Sequence, residues 1–270
     1  MLKINYLAVL AACATLTSPV FSQDRPAGPD TPQLLESDEE LSRWRGLAEQ
    51  GDAVAQFNLG FAYSQGQGVP QDYSEAIRWF RLAAEQGDAF AQFNLGLGYA
   101  EGLGVPQDYS EAARWYRLAA EQGNAAAQGN FGFAYAQGQG VLQDYSEAIR
   151  WYRLAAEQGI ASAQRNLGLA YAQGQGLLQD YAEAARWYRL AAVQGNAAAQ
   201  GNLGFAYAQG QGVLQDYAAA HVWLSIASSN GNANASGNLQ IVAGRMTSSQ
   251  IADAQTRARV CLASEYRDCD

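Results

Sequence analysis

Paired glycines followed by an aspartate occur in five loops of the sequence, and such loops can bind phosphate. The loops read QGQGVPQDY, EGLGVPQDY, QGQGVLQDY, QGQGLLQDY and QGQGVLQDY, and they begin at residues 65, 101, 137, 173 and 209. A phosphate loop places its glycines before a helix, whose N-terminal N–H groups face the anion. Here the pattern predicts that the glycines follow a helix, where free carbonyl groups repel anions. The loops are therefore predicted to be turns between helices and not a nucleotide site.

Histidine and carboxylate chemistry find little support in the sequence. His221 is the only histidine, and 36 residues earlier its position is held by Ala185, so we expect a partly buried helix residue. One histidine supports neither a histidine-rich metal site nor a Ser-His-Asp triad. The regularly spaced carboxylates, such as Asp72 and Glu75, are expected to cap helices or to lie at the surface. No catalytic residue, metal ligand or cofactor site is predicted, and the chain is not expected to be an enzyme.

Cys261 and Cys269 lie eight residues apart near the end of the chain. In an oxidising compartment such a pair is expected to form a disulfide. A continuous helix would hold the two α-carbons about 12 Å apart, beyond the roughly 7 Å that a disulfide can bridge. We therefore predict that the helix ends near Ala263 and that the chain turns back. Metal binding by the pair is the alternative, although no histidine lies near it in the sequence.

The first 22 residues have the features of an export signal. Lys3 precedes a mostly apolar run over residues 6–16, and small residues lead to a predicted cleavage after Ser22. The run is too short for a membrane-spanning helix. Alternatively, the sequence LAAC ending at Cys13 resembles a lipobox, and Cys13 would then carry lipid. The chain is accordingly expected to be periplasmic or secreted, or lipid-anchored at Cys13, with a flexible linker over residues 23–36.

The overall charge limits the partners that the chain can have. The 270 residues are 49% hydrophobic and carry a formal net charge of -9. Nucleic-acid binding depends mainly on basic surfaces, so nucleic acid is not an expected partner. Anionic lipid surfaces are excluded by the same argument, because their charge has the same sign as that of the chain.

A period of 36 residues dominates the sequence. Each unit is predicted to contain two helices, because apolar residues recur at helical spacing, as do Ala55, Leu59 and Tyr63 in the first helix. Asp72 is expected to cap the second helix, with Glu75 completing a capping box. Gly60 lies inside the first helix, at a cost of about 1 kcal/mol, which indicates close contact with a neighbouring helix. The five units are residues 52–87, 88–123, 124–159, 160–195 and 196–231.

The segments on either side of the repeats are predicted to be helical caps. Residues 37–51 match the second helix of a unit, and a single capping helix is expected there. Residues 232–270 begin like a sixth unit and then diverge, so capping helices that carry the cysteine pair are expected. Thr247 and Gln250 have the spacing of a capping box that opens the last of these helices.

The repeat motif A-x-A-Q-x-x-L-G-x-x-Y-x-x-G-x-G-V-x-x-D-Y-x-x-A-x-x-W-Y-x-x-A-A-x-Q-G is nearly complete over residues 89–123. It resembles the Sel-one-like repeat, a relative of the tetratricopeptide repeat, in its exported bacterial type. The resemblance implies an all-α, right-handed α-solenoid of antiparallel helix pairs whose first helices line the concave face. It also implies an adaptor that assembles protein complexes. Some exported relatives carry a cysteine pair in each repeat, whereas the repeats of this chain contain none.

The predicted binding surface lies on the first helices, where the units differ. Phe57, Phe61, Phe93 and Leu97 are spaced to form one apolar stripe, although Phe57 and Phe93 fit packing between units equally well. Arg165 stands at the position of Phe57 and Phe93 in a later unit. A polar ladder, suited to binding a peptide backbone or to a structural role, consists of Asn58, Asn94, Asn130, Asn166 and Asn202.

These observations predict an exported scaffold that binds a protein or peptide through its concave face. One alternative is a structural part of an envelope polysaccharide-export or secretion assembly, which lipid on Cys13 would favour. Another is a β-lactam-binding or hydrolysing envelope enzyme, because related cysteine-rich exported proteins have been linked to β-lactam binding. The lack of cysteines in the repeats and the single lysine, Lys3, count against the enzyme.

Overall fold

The computed structural model describes residues 38–269, which form 13 α-helices and no strand. The predicted signal peptide, linker and lipobox lie outside these residues. The helices are α1 Asp38–Glu49, α2 Ala53–Gln65, α3 Tyr73–Glu85, α4 Ala89–Glu101, α5 Tyr109–Glu121, α6 Ala125–Gln137, α7 Tyr145–Glu157, α8 Ala161–Gln173, α9 Tyr181–Ala192, α10 Ala197–Gln209, α11 Tyr217–Ser229, α12 Ala235–Ala243 and α13 Ser248–Ala263.

The described chain divides within α7 into two compact units. We call residues 38–151 the N-terminal unit and residues 152–269 the C-terminal unit. The helices α1 to α6 of the N-terminal unit, and α8 to α12 of the C-terminal unit, pack against one another in the order of the sequence, and α13 packs on α11. The predicted fold class, an all-α solenoid of 36-residue helix pairs, is confirmed.

The first helix of each pair ends at a glycine, and each except α8, which follows Ile160 and has no side-chain cap, begins after an Asp or Asn that caps it. In the N-terminal unit, the Asp52 carboxylate accepts a hydrogen bond from the Ala55 backbone N–H at 2.7 Å and so caps α2. The helix ends at Gly66, whose φ of 68° lies in the left-handed region that glycine adopts without strain. The glycines of the loops therefore follow a helix C-terminus, as the sequence predicts.

The second helices are capped by the aspartate of the loop. Asp72 Oδ1 accepts hydrogen bonds from the backbone N–H groups of Ser74 and Glu75 at 2.9 and 3.1 Å, which confirms its predicted role. The predicted capping box is wrong in one respect, because the Glu75 carboxylate forms an ion pair with Arg78 at 3.1 Å. The arginine at i+3 offers Glu75 a charged partner on the exposed side of α3.

The glycine inside the first helix makes room for a ring or a branched side chain of the second helix, as Gly60, Gly96, Gly168 and Gly204 show. A β-carbon added to Gly60 would lie 2.8 Å from the Phe80 ring, and one added to Gly168 would lie 2.8 Å from the Tyr188 ring. The close contact that the sequence predicts is therefore made by side chains of the paired helix. Helix pairs pack tightly because this position has no side chain of its own.

A hydrogen-bonded glutamine ladder joins the two helices of a repeat to each other and to the helix that precedes the repeat. In the N-terminal unit, the Gln86 amide donates to the Gln56 carbonyl at 2.7 Å, and the buried Gln56 amide donates to the Ala48 backbone carbonyl at 3.1 Å. In the C-terminal unit, Gln194 and Gln164 form the same bond at 2.8 Å. Buried amides need such partners, because an unpaired one loses its bonds to water. The ladder explains why glutamine recurs at this position of every repeat.

The C-terminal unit ends in α12 and α13, which pack on α11. Thr247 and Gln250 form the predicted capping box, with the Thr247 N–H donating to Gln250 Oε1 at 2.8 Å. After α13 ends at Ala263, Glu265 and Tyr266 adopt positive φ angles of 53° and 66°, so the chain turns back.

The turn after α13 brings the two cysteines of the tail together. The α-carbons of Cys261 and Cys269 lie 4.5 Å apart, a separation at which a disulfide can form. Both side chains are buried against the core of the C-terminal unit, which includes Trp223 and Ile226. The covalent bond itself stays a prediction.

Candidate protein-binding surface

The apolar stripe predicted on the first helices of the N-terminal unit lies inside the protein. Phe57 is completely buried, and its ring packs against those of Phe80 and Phe90 at centroid distances of 5.8 and 6.3 Å. Phe61 is buried in the same cluster. The expected exposed stripe is therefore corrected, because these rings fill the space between consecutive helix pairs.

Phe93 and Leu97 continue this packing in the next repeat. Phe93 is buried and lies 5.9 Å from the Tyr116 ring, measured between centroids. Leu97 is partly buried and packs against the cluster that contains Phe57. For Phe57 and Phe93, packing between units was the alternative that the sequence left open, and their burial favours it.

The asparagines of the N-terminal unit are also turned inward. Asn58 and Asn94 are buried, and Asn130, which is half-buried, forms a side-chain hydrogen bond with Tyr116. Burial raises the pKa of the Tyr116 hydroxyl well above its usual range, and the bond to Asn130 opposes that rise. Within this unit the asparagines support the core and do not form one exposed ladder.

In the C-terminal unit, by contrast, the equivalent positions form a polar surface. Arg165, Asn166 and Asn202 are half-buried, and Ser162 is exposed. We call these four residues the first-helix surface, since they lie on α8 and α10. The Arg165 Nη1 group donates a 3.2 Å hydrogen bond to Asn166 Oδ1. Burial raises the pKa of the Tyr188 hydroxyl, and the positive charge of Arg165 opposes that rise.

Asn202 contributes a donor that the protein does not use. Its Nδ2 atom is buried and has no hydrogen-bond partner within residues 38–269. The adjoining Gly201 leaves room for Asn232, whose Nδ2 atom donates to the Ala197 carbonyl at 3.0 Å. Amide and guanidinium donors can bind the carbonyl groups or carboxylates of a peptide. The first-helix surface therefore has the chemistry for polypeptide recognition.

His221 lies in the helix α11, as the sequence predicts, but it is buried more completely than the partly buried position expected. Only 2% of its surface is exposed, and its Nδ1 atom lies 3.3 Å from Ser225 Oγ. Burial lowers the pKa of His221 from its ordinary value of 6.5. Between residues 38 and 269 there is no cluster of three or more histidines, cysteines or carboxylates that could hold a metal.

The sequence did not reveal which loop side chains would be most exposed. Leu142 in the N-terminal unit, and Leu178 and Leu214 in the C-terminal unit, follow the paired glycines and extend into solvent. The available signal was the replacement of Pro70 and Pro106 by leucine at this position of the later loops. No helix in the described part of the chain is both long and apolar enough to cross a bilayer.

Two solved structures resemble this chain in both sequence and fold. One is a protective antigen of uropathogenic Escherichia coli with an SLR fold, which is 38% identical over 85% of this chain, with a TM-score of 0.72. This chain covers 48% of that antigen, which is about half of its length. The other is a Sel1 repeat protein from Oxalobacter formigenes, which is 37% identical over 74% of this chain and 84% of its own, with a TM-score of 0.68.

The sequence profile of the Sel1 repeat matches the repeats one by one. No curated protein matches the sequence significantly. The profile matches five adjoining segments, residues 53–88, 89–124, 125–160, 161–196 and 197–232. Together with the helix pairs and the two solved structures, these matches establish that the chain belongs to the Sel1 repeat family, whose motif its repeats resemble.

Proposed function

We propose that this protein is an exported scaffold that binds a protein or peptide partner on the first-helix surface of its C-terminal unit. Sel1 repeat proteins generally serve as scaffolds for protein–protein interaction and are typically not enzymes. The unused donor at Asn202 Nδ2 is the observation that carries the proposal, because a buried donor without a partner is costly. A carbonyl group of a bound polypeptide would supply the missing acceptor once the Asn202 side chain turns outward on binding.

Arg165 adds selectivity to this surface. Its guanidinium donates to Asn166 at 3.2 Å and is positively charged. Because arginine binds carboxylates with two parallel hydrogen bonds, a partner segment with an acidic side chain or a free C-terminus fits best. The partner would therefore place a backbone carbonyl at Asn202 and a carboxylate at Arg165.

The test is affinity capture from the envelope fraction of the native host, with the full-length tagged protein. The double variant Arg165→Gln/Asn202→Ala is compared with a control, Arg153→Gln/Asn238→Ala. Arg153 is exposed, and both control residues belong to the C-terminal unit outside the first-helix surface. We expect a partner that the wild type and the control retain and that the first-helix variant loses by at least tenfold. Equal capture by both variants would contradict the proposed surface, and no specific partner at all would contradict the function.

A further inference from the structure

The most exposed apolar side chains of the C-terminal unit belong to two consecutive loops. Leu178 and Leu214 occupy the same loop position in adjacent repeats, and 90% and 91% of their surfaces are exposed. Single exposed leucines are common on protein surfaces. Leu178 and Leu214, by contrast, lie at the same place in consecutive loops and have almost no contact with their own chain. They therefore form a row of exposed leucines.

The loops hold these leucines in fixed positions. After Leu178, the Gln179 amide donates to the Ala172 carbonyl at 2.7 Å and to the Tyr181 hydroxyl at 3.0 Å. The Asp180 N–H donates to the Tyr171 carbonyl at 3.0 Å. The loop that carries Leu214 has the same bonds from Gln215 and Asp216. A partner that contacts the leucines would therefore order little additional backbone, which favours binding.

The two loops are also in direct contact with each other. A β-carbon added to Gly212 would overlap the Tyr181 carbonyl group and lie 2.5 Å from the Ala182 nitrogen. Gly212 therefore lies against the backbone at the start of α9, immediately after the loop that carries Leu178. This packing fixes the position of Leu214 relative to Leu178.

The charged groups of the loops are all acidic. Residues 173–181 and 209–217 contain Asp180 and Asp216 and no basic residue. In each aspartate Oδ1 accepts both capping hydrogen bonds, and both residues are exposed. The helix N-terminus offsets part of each negative charge. Arg186, on the following helix, is already paired with Glu183 at 3.0 Å.

We propose that Leu178, Asp180, Leu214 and Asp216 form a second docking surface, the loop edge, for a partner segment that carries both apolar and Lys or Arg side chains. The leucines would supply apolar contact, and the carboxylates would select a basic segment. The same carboxylates disfavour an anionic membrane. The loop edge goes beyond the first-helix surface of the proposed function and can be tested independently of it.

The test uses fluorescence anisotropy with the full chain and a synthetic peptide of alternating Leu and Lys. A Leu/Glu peptide and a Ser/Lys peptide serve as probes that lack the charge or the apolar groups. We expect Leu178→Gln/Leu214→Gln to weaken binding of the Leu/Lys peptide at least tenfold. Asp180→Asn/Asp216→Asn keeps the helix caps, because asparagine also caps helices, and it should weaken binding severalfold at low salt and less at high salt.

A matched control removes two leucines from elsewhere in the same unit. Leu154 and Leu190 lie on second helices and are each 38% exposed, so Leu154→Gln/Leu190→Gln should bind as the wild type does. The first-helix variant Arg165→Gln/Asn202→Ala should also bind the Leu/Lys peptide normally, which separates this test from that of the proposed function. Circular dichroism confirms that each variant is folded.

Several outcomes would overturn the loop edge as a protein-docking surface. These are absence of binding, equal binding of the Leu/Lys and Leu/Glu peptides, and binding that is indifferent to Leu178→Gln/Leu214→Gln. Leucine-dependent binding to phosphatidylcholine vesicles in place of the peptide would show that Leu178 and Leu214 bind lipid. Leucine-dependent dimerisation in sedimentation would assign it to a second copy of the chain.

Discussion

The side-chain amide of Asn230 donates a 2.8 Å hydrogen bond to the hydroxyl of Tyr266, 36 residues later in the chain. The same amide donates to the Gln200 carbonyl at 2.9 Å, so Asn230 is the last member of the glutamine ladder in the C-terminal unit. The Tyr266 ring also packs against Gly195, at 3.2 Å from a β-carbon built there. The turn between Cys261 and Cys269 thus places Tyr266 on the end of the ladder.

We expect the cysteine pair to be oxidised and to hold this turn in place. Intact-mass analysis of the native protein should find it two hydrogens lighter than after reduction. Reduction, or Cys269→Ser, should lower the thermal midpoint, because the turn with positive φ at Glu265 and Tyr266 loses its constraint. Tyr266→Phe should lower the midpoint less, since it removes only the hydrogen bond to Asn230. Equal masses before and after reduction would contradict the disulfide.

Gln164→Ala should destabilise the C-terminal unit by about 2 kcal/mol, because the Ala156 carbonyl and the Gln194 amide both lose a partner. Gln173→Ala, at the exposed end of the same helix, is the control and should change the stability little. Thermal unfolding monitored by circular dichroism measures the stability of both variants. Similar midpoints for the two variants would show that the ladder contributes little.

Gly168→Ala should destabilise the protein by about 1–3 kcal/mol, because the new methyl group would lie 2.8 Å from the Tyr188 ring. Gly237→Ala in α12 is the matched control, since no atom lies within 4 Å of a β-carbon built there. The control should be neutral or stabilising by up to about 1 kcal/mol, given the helix propensity of alanine. Urea or thermal unfolding compares the two, and a stable Gly168→Ala protein would contradict close packing at this position.

The protein should lose stability below about pH 6.5 in a way that depends on His221. Burial lowers the pKa of His221 in the folded state from its ordinary 6.5, so the unfolded chain takes up a proton first as the pH falls. The stabilising contribution is present above pH 6.5 and is lost as the pH falls through the folded-state pKa. His221→Ala, which introduces the residue found at Ala185, should lose less stability between pH 7.5 and pH 5 than the wild type. Parallel slopes of melting midpoint against pH would contradict this assignment.

If the protein is exported as proposed, the first residue of the mature protein can be predicted. Peptide mapping and intact mass should place the first residue at Gln23, after cleavage behind Ser22. A mature chain that begins at Cys13 and carries lipid would contradict this and favour a structural role in an envelope assembly. A chain that keeps its first residues and stays in the cytoplasmic fraction would contradict export altogether.

The sequence predicts the helix pairs and their caps well, because these depend on short-range patterns. Asp72, Gly66 and Thr247 each act within a few residues of their own position. The direction in which a first-helix side chain points depends instead on how closely the next helix pair approaches. For that reason Phe57 was as consistent with a binding surface as with the core, and only the packing of Phe80 and Phe90 around it decides the matter.

The recurring asparagines show the same limit of prediction from the sequence. Asparagine recurs at equivalent positions in all five repeats, but its surroundings change with the neighbouring residue. Asn130 can bond to Tyr116, whereas the Nδ2 atom of Asn202 has no partner within the described chain. Neighbours contributed by a different repeat cannot be deduced from the period alone.

The glutamine ladder also bears on how such a chain changes in length during evolution. Each repeat forms the same two bonds, as Gln164 does when it accepts from Gln194 of its own repeat and donates to the Ala156 carbonyl of the preceding repeat. A duplication or deletion of a whole 36-residue block therefore leaves every buried amide with a partner. Shorter insertions would break the pairing, so the length of the array can vary by whole repeats with little cost to its stability.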